Sequence, residues 1–210
     1  MARPPPAASA ALLPLRAWSS DQSMRIIAGA LKGRRLVTPR GETTRPTADQ
    51  VRIALMDTLA PRLPDARVLD LFAGAGGVGL EALSRGAAHA TFVERDARAV
   101  AALRDNVQAL GVGTLARVRR GDILRELAAL YRAGERFDIV FLDPPYDAGL
   151  VDTTLQALGG GGLLLPEGLV VAQHFTKRAP ATTIGALATF RTRRFGETTL
   201  TFYRAAPGPS

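Results

Sequence analysis

The 210-residue chain contains no cysteine. Thiolate nucleophiles, disulfides and cysteine-based zinc sites are therefore excluded, and the absence fits a cytoplasmic protein. Histidine is nearly absent too. His89 and His174 have no partners at metal-ligand spacing, so no metal site is expected, and both read as strand-edge residues. No apolar run approaches the ~18–20 residues that span a bilayer. No internal repeat is visible. With 47% hydrophobic and 22% charged residues, the composition is that of a globular protein large enough for one sizeable core. The first 23 residues, "MARPPPAASAALLPLRAWSSDQS", pair an arginine with a short apolar stretch, which raises a signal peptide. Pro14 and Arg16 interrupt that stretch, so residues 1–23 read as a disordered leader or over-long start, with Met24 the expected beginning and Trp18 exposed.

What is abundant is positive charge, and it is unevenly placed. The net charge is +8. Residues 24–52 carry seven Lys/Arg against Glu42 and Asp49, and residues 174–204 carry six against Glu197, so each segment is +5. The stretch between them, 53–173, has 12 basic and 15 acidic residues, a net of −3. A mildly acidic centre with two basic flanks suggests a polyanionic partner held by the flanks.

Residues 25–37, "RIIAGALKGRRLV", read as two short strands about a glycine turn. The following "TTRPTADQVRIALMDTL" starts a helix, with Thr47 and Gln50 as a capping box. From Arg67 strand and helix alternate: "RVLDLF", "GGVGLEALSRG", "HATFVE", "DARAVAALRDNVQAL" ended by Gly111, "LARVRRGD", "ILRELAALYRAG", "FDIVFLD", "AGLVDTTLQAL" and "GLVVAQHF". Apolar strands in that alternation imply a parallel sheet covered on both faces. The tail "ALATFRTRRFGETTLTFYR" reads instead as two antiparallel strands closing one edge, turning at Phe195-Gly196.

Gly74, Gly76 and Gly79 lie between the first strand and its helix at G-x-G-x-x-G spacing, and Glu94 ends the next strand. Glycines let backbone approach a ligand, and a carboxylate there can accept two ribose hydroxyls. The loop implies a nucleoside-containing cofactor without saying which. Two acids favour S-adenosylmethionine over NAD. Asp70, inside the strand, suits a ligand ammonium, and Asp122, ending the third strand, suits a base amino group. Singly, Asp122 or Asp96 could be no more than a helix N-cap.

"DIVFLDPPYD" then ends the fourth strand on Asp143, Pro144, Pro145 and Tyr146. The prolines cannot donate to a helix ladder and push their predecessors towards extended geometry, making a stiff elbow. Acceptors on Asp143 and a proline carbonyl can hold the two N–H bonds of an exocyclic amino group, and Tyr146 can stack on its base. Held in line with a sulfonium methyl, such a nitrogen needs neither metal nor covalent intermediate. The same elbow serves guanine or adenine, and a non-catalytic RNA-binding protein or an NAD-dependent dehydrogenase stays open as another class.

On these motifs, together with "MRIIAGALKGRRL", "TRPTADQVRIALMDTL", "FVERD" and "FGETTLTFYR", the chain over about residues 24–204 resembles the RsmD-type methyltransferases, which methylate guanine N2 in bacterial 16S rRNA. The resemblance implies a Rossmann-like class I S-adenosylmethionine-dependent methyltransferase: a mostly parallel, doubly wound α/β sheet with an antiparallel edge, preceded by a small basic hairpin and helix. It implies a leader at 1–23, an extension at 24–60, a methyltransferase domain at 61–204 and a tail at 205–210. Asp70, Phe72, Gly74, Gly76, Glu94 and Asp122 would contact S-adenosylmethionine, with S-adenosylhomocysteine as product. Asp143, Pro144, Pro145 and Tyr146 would hold the guanine amino group. Arg25, Lys32, Arg34, Arg35, Arg45 and Arg52 would face 16S rRNA, free or in an assembling small subunit. A cytoplasmic monomer without membrane contact is expected. The chain departs from the family pattern in "GAGGVG", which replaces a more usual serine-containing loop, and in the basic "AQHFTKRAP".

Overall fold

A computed structural model describes residues 24–39, 46–145 and 148–205. The leader, Arg45, Tyr146 and the last residues of the tail lie outside the described residues. Helix α1 runs Pro46–Leu59. Alternation then begins with strand β1 (Arg67–Leu71), α2 (Gly77–Ser84), β2 (His89–Glu94), α3 (Ala97–Leu110), β3 (Ala116–Arg120), α4 (Ile123–Arg132), β4 (Phe137–Leu142), α5 (Ala148–Gly159) and β5 (Leu164–Phe175). Strands β6 (Thr183–Ile184), β7 (Leu187–Phe195) and β8 (Thr198–Ala205) complete the order. The two-residue β6 is too short to leave a sequence pattern. Helix α1 starts one residue before the expected Thr47 cap, at Pro46, whose fixed φ suits a first helical position.

One eight-stranded sheet has the order β3-β2-β1-β4-β5-β8-β7-β6. Strands β3 to β5 pair in parallel, and β8, β7 and β6 add antiparallel. Successive strand residues point to opposite faces, so each parallel strand is apolar on both. Val68, Phe92, Ile139 and Val171 pack under α1, α2 and α3, whereas Leu69, Val93, Val140 and Val170 pack under α4 and α5. Burying each such side chain contributes on the order of 1.5–3 kcal/mol. Sequence order reverses between β1 and β4, and open α/β sheets leave a crevice at the carboxyl ends of such a pair. No helix of the described residues is long and apolar enough to cross a membrane.

The N-terminal arm shares the core of the first face. The expected hairpin is reduced to a single Arg25–Arg35 bridge, and Ile26 and Leu36 are buried with Val51, Leu55 and Leu83. Polar handles on α2 and α3 satisfy the backbone that such a short hairpin leaves unpaired. Buried Glu81 accepts from the Ile27 and Ala28 N–H groups at 2.7 and 2.9 Å. Ser84 Oγ donates to Ala28 O and accepts from Leu31 N. Asn106 pairs with both backbone groups of Val37 and also donates to Ala75 O in the glycine loop. Gly29, at φ 85°, lies so close to α2 that a Cβ would sit 1.9 Å from Ser84 O; no other residue fits there.

Candidate functional site

A cleft of about 270 Å³ opens at the reversal point, between the arm, α1, the glycine loop and the ends of β4 and β5. Strand β1 delivers Asp70 to its floor. The register opposes Asp70 to Phe141 on β4 and to Phe92 on β2, so the carboxylate rises on the α2 face between two aromatic neighbours. Asp70 is 2% exposed, and its Oδ2 accepts from Gly79 N–H at 2.8 Å. Burial raises its pKa to about 8, against the Gly79 hydrogen bond, and the charges of Asp143 and Glu94 push the same way.

The chain leaves β1 through Phe72 at φ 59°, a left-handed conformation that is uncommon for a bulky residue and marks a strained turn. Gly74 follows at φ 53°, and a Cβ on it would meet nothing within 4 Å, so that side of the loop is open. Gly76 at φ 88° is the N-cap of α2, in a backbone conformation that other residues rarely adopt, and a Cβ there would lie 2.4 Å from Leu103 Cδ1. Gly79 is equally pressed, with Phe92 2.3 Å from its Cβ position.

Glu94 and Asp122 are engaged differently from the expectation. Glu94 Oε2 accepts from Gly74 N at 2.9 Å, while Oε1 accepts from Arg95 N and Asp96 N. It therefore pins the glycine loop, with one oxygen shared between two donors. Asp122 lies exposed and caps α4, accepting from Arg125 N at 3.2 Å. Asp96 caps α3 in the same way. The N-cap reading of both residues is what the structure has, and Asp122 is not among the residues lining the cleft.

Asp143 follows β4 and lines the cleft, with Pro144 half-buried and Pro145 exposed behind it. The residue is open to the cleft, yet the protein crowded round its carboxyl raises the pKa to about 7. Its Oδ2 accepts from Gln173 Nε2 at 2.9 Å. The β4–β5 register pairs Leu142 with Ala172, so Gln173 and Asp143 are the next residues on adjacent strands. Gln173 escaped sequence reasoning, although a polar residue at the carboxyl end of an apolar strand is a usable signal. Met24, Asp49, Leu55 and Phe141 line the cleft without having been singled out.

The expected RNA-facing cations divide. Arg25, Lys32, Arg34 and Arg35 are exposed on the arm, with Arg34 Nη2 donating to Ala109 O at the end of α3. Arg52 departs from the expectation. It is 7% exposed and turned inward, because α1 packs its buried face on the arm and the glycine loop. His174 is buried between Phe175 O and Thr201 Oγ1, a packing role in the sheet interior, and His89 opens β2 as an exposed residue. No cluster of metal-ligating side chains occurs among the described residues.

The family described as "Conserved hypothetical protein 95" matches residues 24–204. Escherichia coli "Ribosomal RNA small subunit methyltransferase D" is 37% identical over 193 residues, covering 91% of this chain and 96% of that protein. This chain belongs to that family. The solved Escherichia coli protein yhhF superposes on it with a TM-score of 0.78 at 37% identity, over 88% of this chain and 98% of the other. SMU.776, solved in complex with SAH, shares the fold at 14% identity (TM-score 0.66), over 80% of this chain and 52% of its own length. The fold is the Rossmann-like class I S-adenosylmethionine-dependent methyltransferase fold, as the family resemblance implies. The match begins at Met24 and takes in the arm, α1 and the sheet as far as Arg204.

Proposed function

We propose that the protein transfers a methyl group from S-adenosylmethionine to the exocyclic N2 of a guanine in 16S rRNA. One observation carries the reading: two buried or crowded acids, Asp70 and Asp143, face one cleft from adjacent strands in a chain belonging to a family with a relative named for the small-subunit rRNA. The residues fit the cofactor. Asp70 is a desolvated carboxyl that a ligand cation would ionise, and the open side of Gly74 lets backbone approach a ligand. When bound, S-adenosylmethionine supplies an electrophilic sulfonium methyl.

The chain's own part is to hold and orient. Asp70 takes the ligand ammonium, Phe72 and Gly74 border it, and Glu94 presents the loop. Asp143 and the Pro144 carbonyl accept the two amino N–H bonds of guanine, which localises the nitrogen lone pair towards the methyl carbon. A nitrogen held there would face the sulfonium methyl that bound S-adenosylmethionine would supply, and the Asp143 side of the cleft would take the proton that the nitrogen gives up. Pro145 keeps the elbow rigid. The exposed cations of the arm meet the rRNA backbone, a sequence-independent attraction that steers and holds.

The test offers labelled S-adenosylmethionine with undermethylated small subunits, naked 16S rRNA and duplex DNA. Label recovered as N2-methylguanine from rRNA is the expected result. Label in DNA alone, or none with cofactor bound, overturns it. Within the same reading, Arg34→Ala with Arg35→Ala is expected to weaken rRNA binding several-fold. It should also reduce the slope of log affinity on log salt by about 1–2. An unchanged slope over 50–300 mM salt would remove the arm from the footprint.

A further inference from the structure

We infer that Arg52 binds the carboxylate at the amino-acid end of S-adenosylmethionine, which makes it a cofactor-selecting residue and not an RNA contact. The inference rests on the reading above that this cofactor occupies the cleft. Arg52 stands on the inner face of α1 and lines the cleft at 7% exposure. Its Nη2 is anchored, donating to Arg25 O at 2.8 Å and to Asp49 Oδ1 at 3.0 Å. Its Nε is buried and has no hydrogen-bond partner among the described residues. An orphaned buried N–H costs about 1–3 kcal/mol, and a guanidinium more, so a fold retains one chiefly where a ligand completes it. Burial also disfavours its charge, opposed first by Asp49.

The placement is tight. A Cβ on Gly77, at the start of α2, would come 3.1 Å from Arg52 Nη1, so the missing side chain lets the guanidinium lie over the loop. Among the described residues lining the cleft, Arg52 is the one cation, set against Asp49, Asp70 and Asp143. The amino-acid end of S-adenosylmethionine carries an ammonium and a carboxylate. Asp70 suits the first; the second needs a donor-rich cation, and a guanidinium fork matches a carboxylate in both charge and geometry. The first-turn N–H groups of α2 are the competing anion anchor, but that of Gly79 is already donated to Asp70.

The experiment measures affinity, not turnover. Wild type, Arg52→Gln and Arg52→Lys are each titrated calorimetrically with S-adenosylmethionine and with its decarboxylated analogue, which keeps sulfonium and ammonium but lacks the carboxylate. Wild type should prefer the intact cofactor by about 10–100-fold. Arg52→Gln should lose that preference while binding the analogue within about threefold of wild type, and Arg52→Lys should recover part of it. Equal loss of both ligands in a variant that melts like wild type would make Arg52 a structural clasp for the arm and overturn the inference. So would a wild type that does not discriminate, whatever the fate of the variants. A wild type that binds neither ligand defeats the cofactor reading itself, an outcome distinct from lost discrimination.

Discussion

Asp143→Ala is expected to bind S-adenosylmethionine within a few-fold of wild type and to lose about 10²–10³ in single-turnover rate. The reasoning is differential. The Asp143 carboxylate follows β4 with one oxygen steadied by Gln173, while Asp70 and the loop after β1 make the part of the cleft proposed to hold the cofactor. Removing the acceptor leaves that part in place. On the proposed function it withdraws a hydrogen bond that would strengthen as the amino nitrogen gains positive charge. Cofactor binding even has a compensating term, because the Asp143 charge contributes to the raised pKa of Asp70, and its removal eases Asp70 ionisation.

The pH dependence follows from the same group. Its carboxyl is raised to about 7, so the accepting carboxylate becomes the majority form only above that value. Single-turnover rates should therefore climb through pH 6–8 and flatten, and Asp143→Asn should show a low, flat profile. Rapid-quench measurements with saturating cofactor decide it. Equal loss of binding and turnover in Asp143→Ala would mean that this carboxylate grips the cofactor instead.

The second large effect concerns Asp70→Asn, which should stabilise the ligand-free protein while weakening cofactor binding about 10–100-fold. Asp70 is buried, with a pKa of about 8 against 3.8 for an ordinary aspartate. Between those values the folded, ligand-free chain holds a proton that the unfolded chain has released. Stability therefore falls as pH rises through that window and levels off above about 8. Asn carries no such penalty and can still accept from Gly79 N–H, so at pH 8 the variant should be more stable by a few kcal/mol, roughly.

Added cofactor reverses the ranking. Its ammonium favours ionised Asp70, so wild-type affinity should rise from pH 6 to 8 with release of a proton, visible as a binding enthalpy that changes with buffer. Thermal melts at pH 6 and 8.5, with and without ligand, test both halves. An Asn variant less stable than wild type at pH 8.5, or one binding the cofactor undiminished, defeats the assignment of Asp70.

The elements show where local pattern suffices. "HATFVE" is a strand over its whole predicted length, and the helix "DARAVAALRDNVQAL" runs from its Asp96 cap to Gly111 in the left-handed conformation. In both, the deciding forces act within a few residues: side-chain alternation, a capping carboxylate and a glycine stop. The antiparallel close at Gly196 was legible for the same reason. Arg52 was not. Charge counting places it with its exposed neighbours, and only the packing of α1 on the arm turns it inward. Gln173 was hidden by its apolar strand until β5 took its register beside β4. Glu94 ends β2 as expected, whereas Asp122 lies two residues past β3, and which donors their oxygens meet depends on how the loops close.

The amino-acid order by itself determined the alternating elements, the glycine turn, the proline elbow and the basic arm, because period, turn chemistry and charge are properties of adjacent residues. Tertiary structure alone decided which side chains share the cleft. Asp70 and Asp143 lie on strands far apart in sequence that become neighbours through the reversed order at β1 and β4. Arg52 joins them because Glu81, Ser84 and Asn106 clamp the arm over the loop. Those placements come from sheet register and from burial across the core, and no local window contains either.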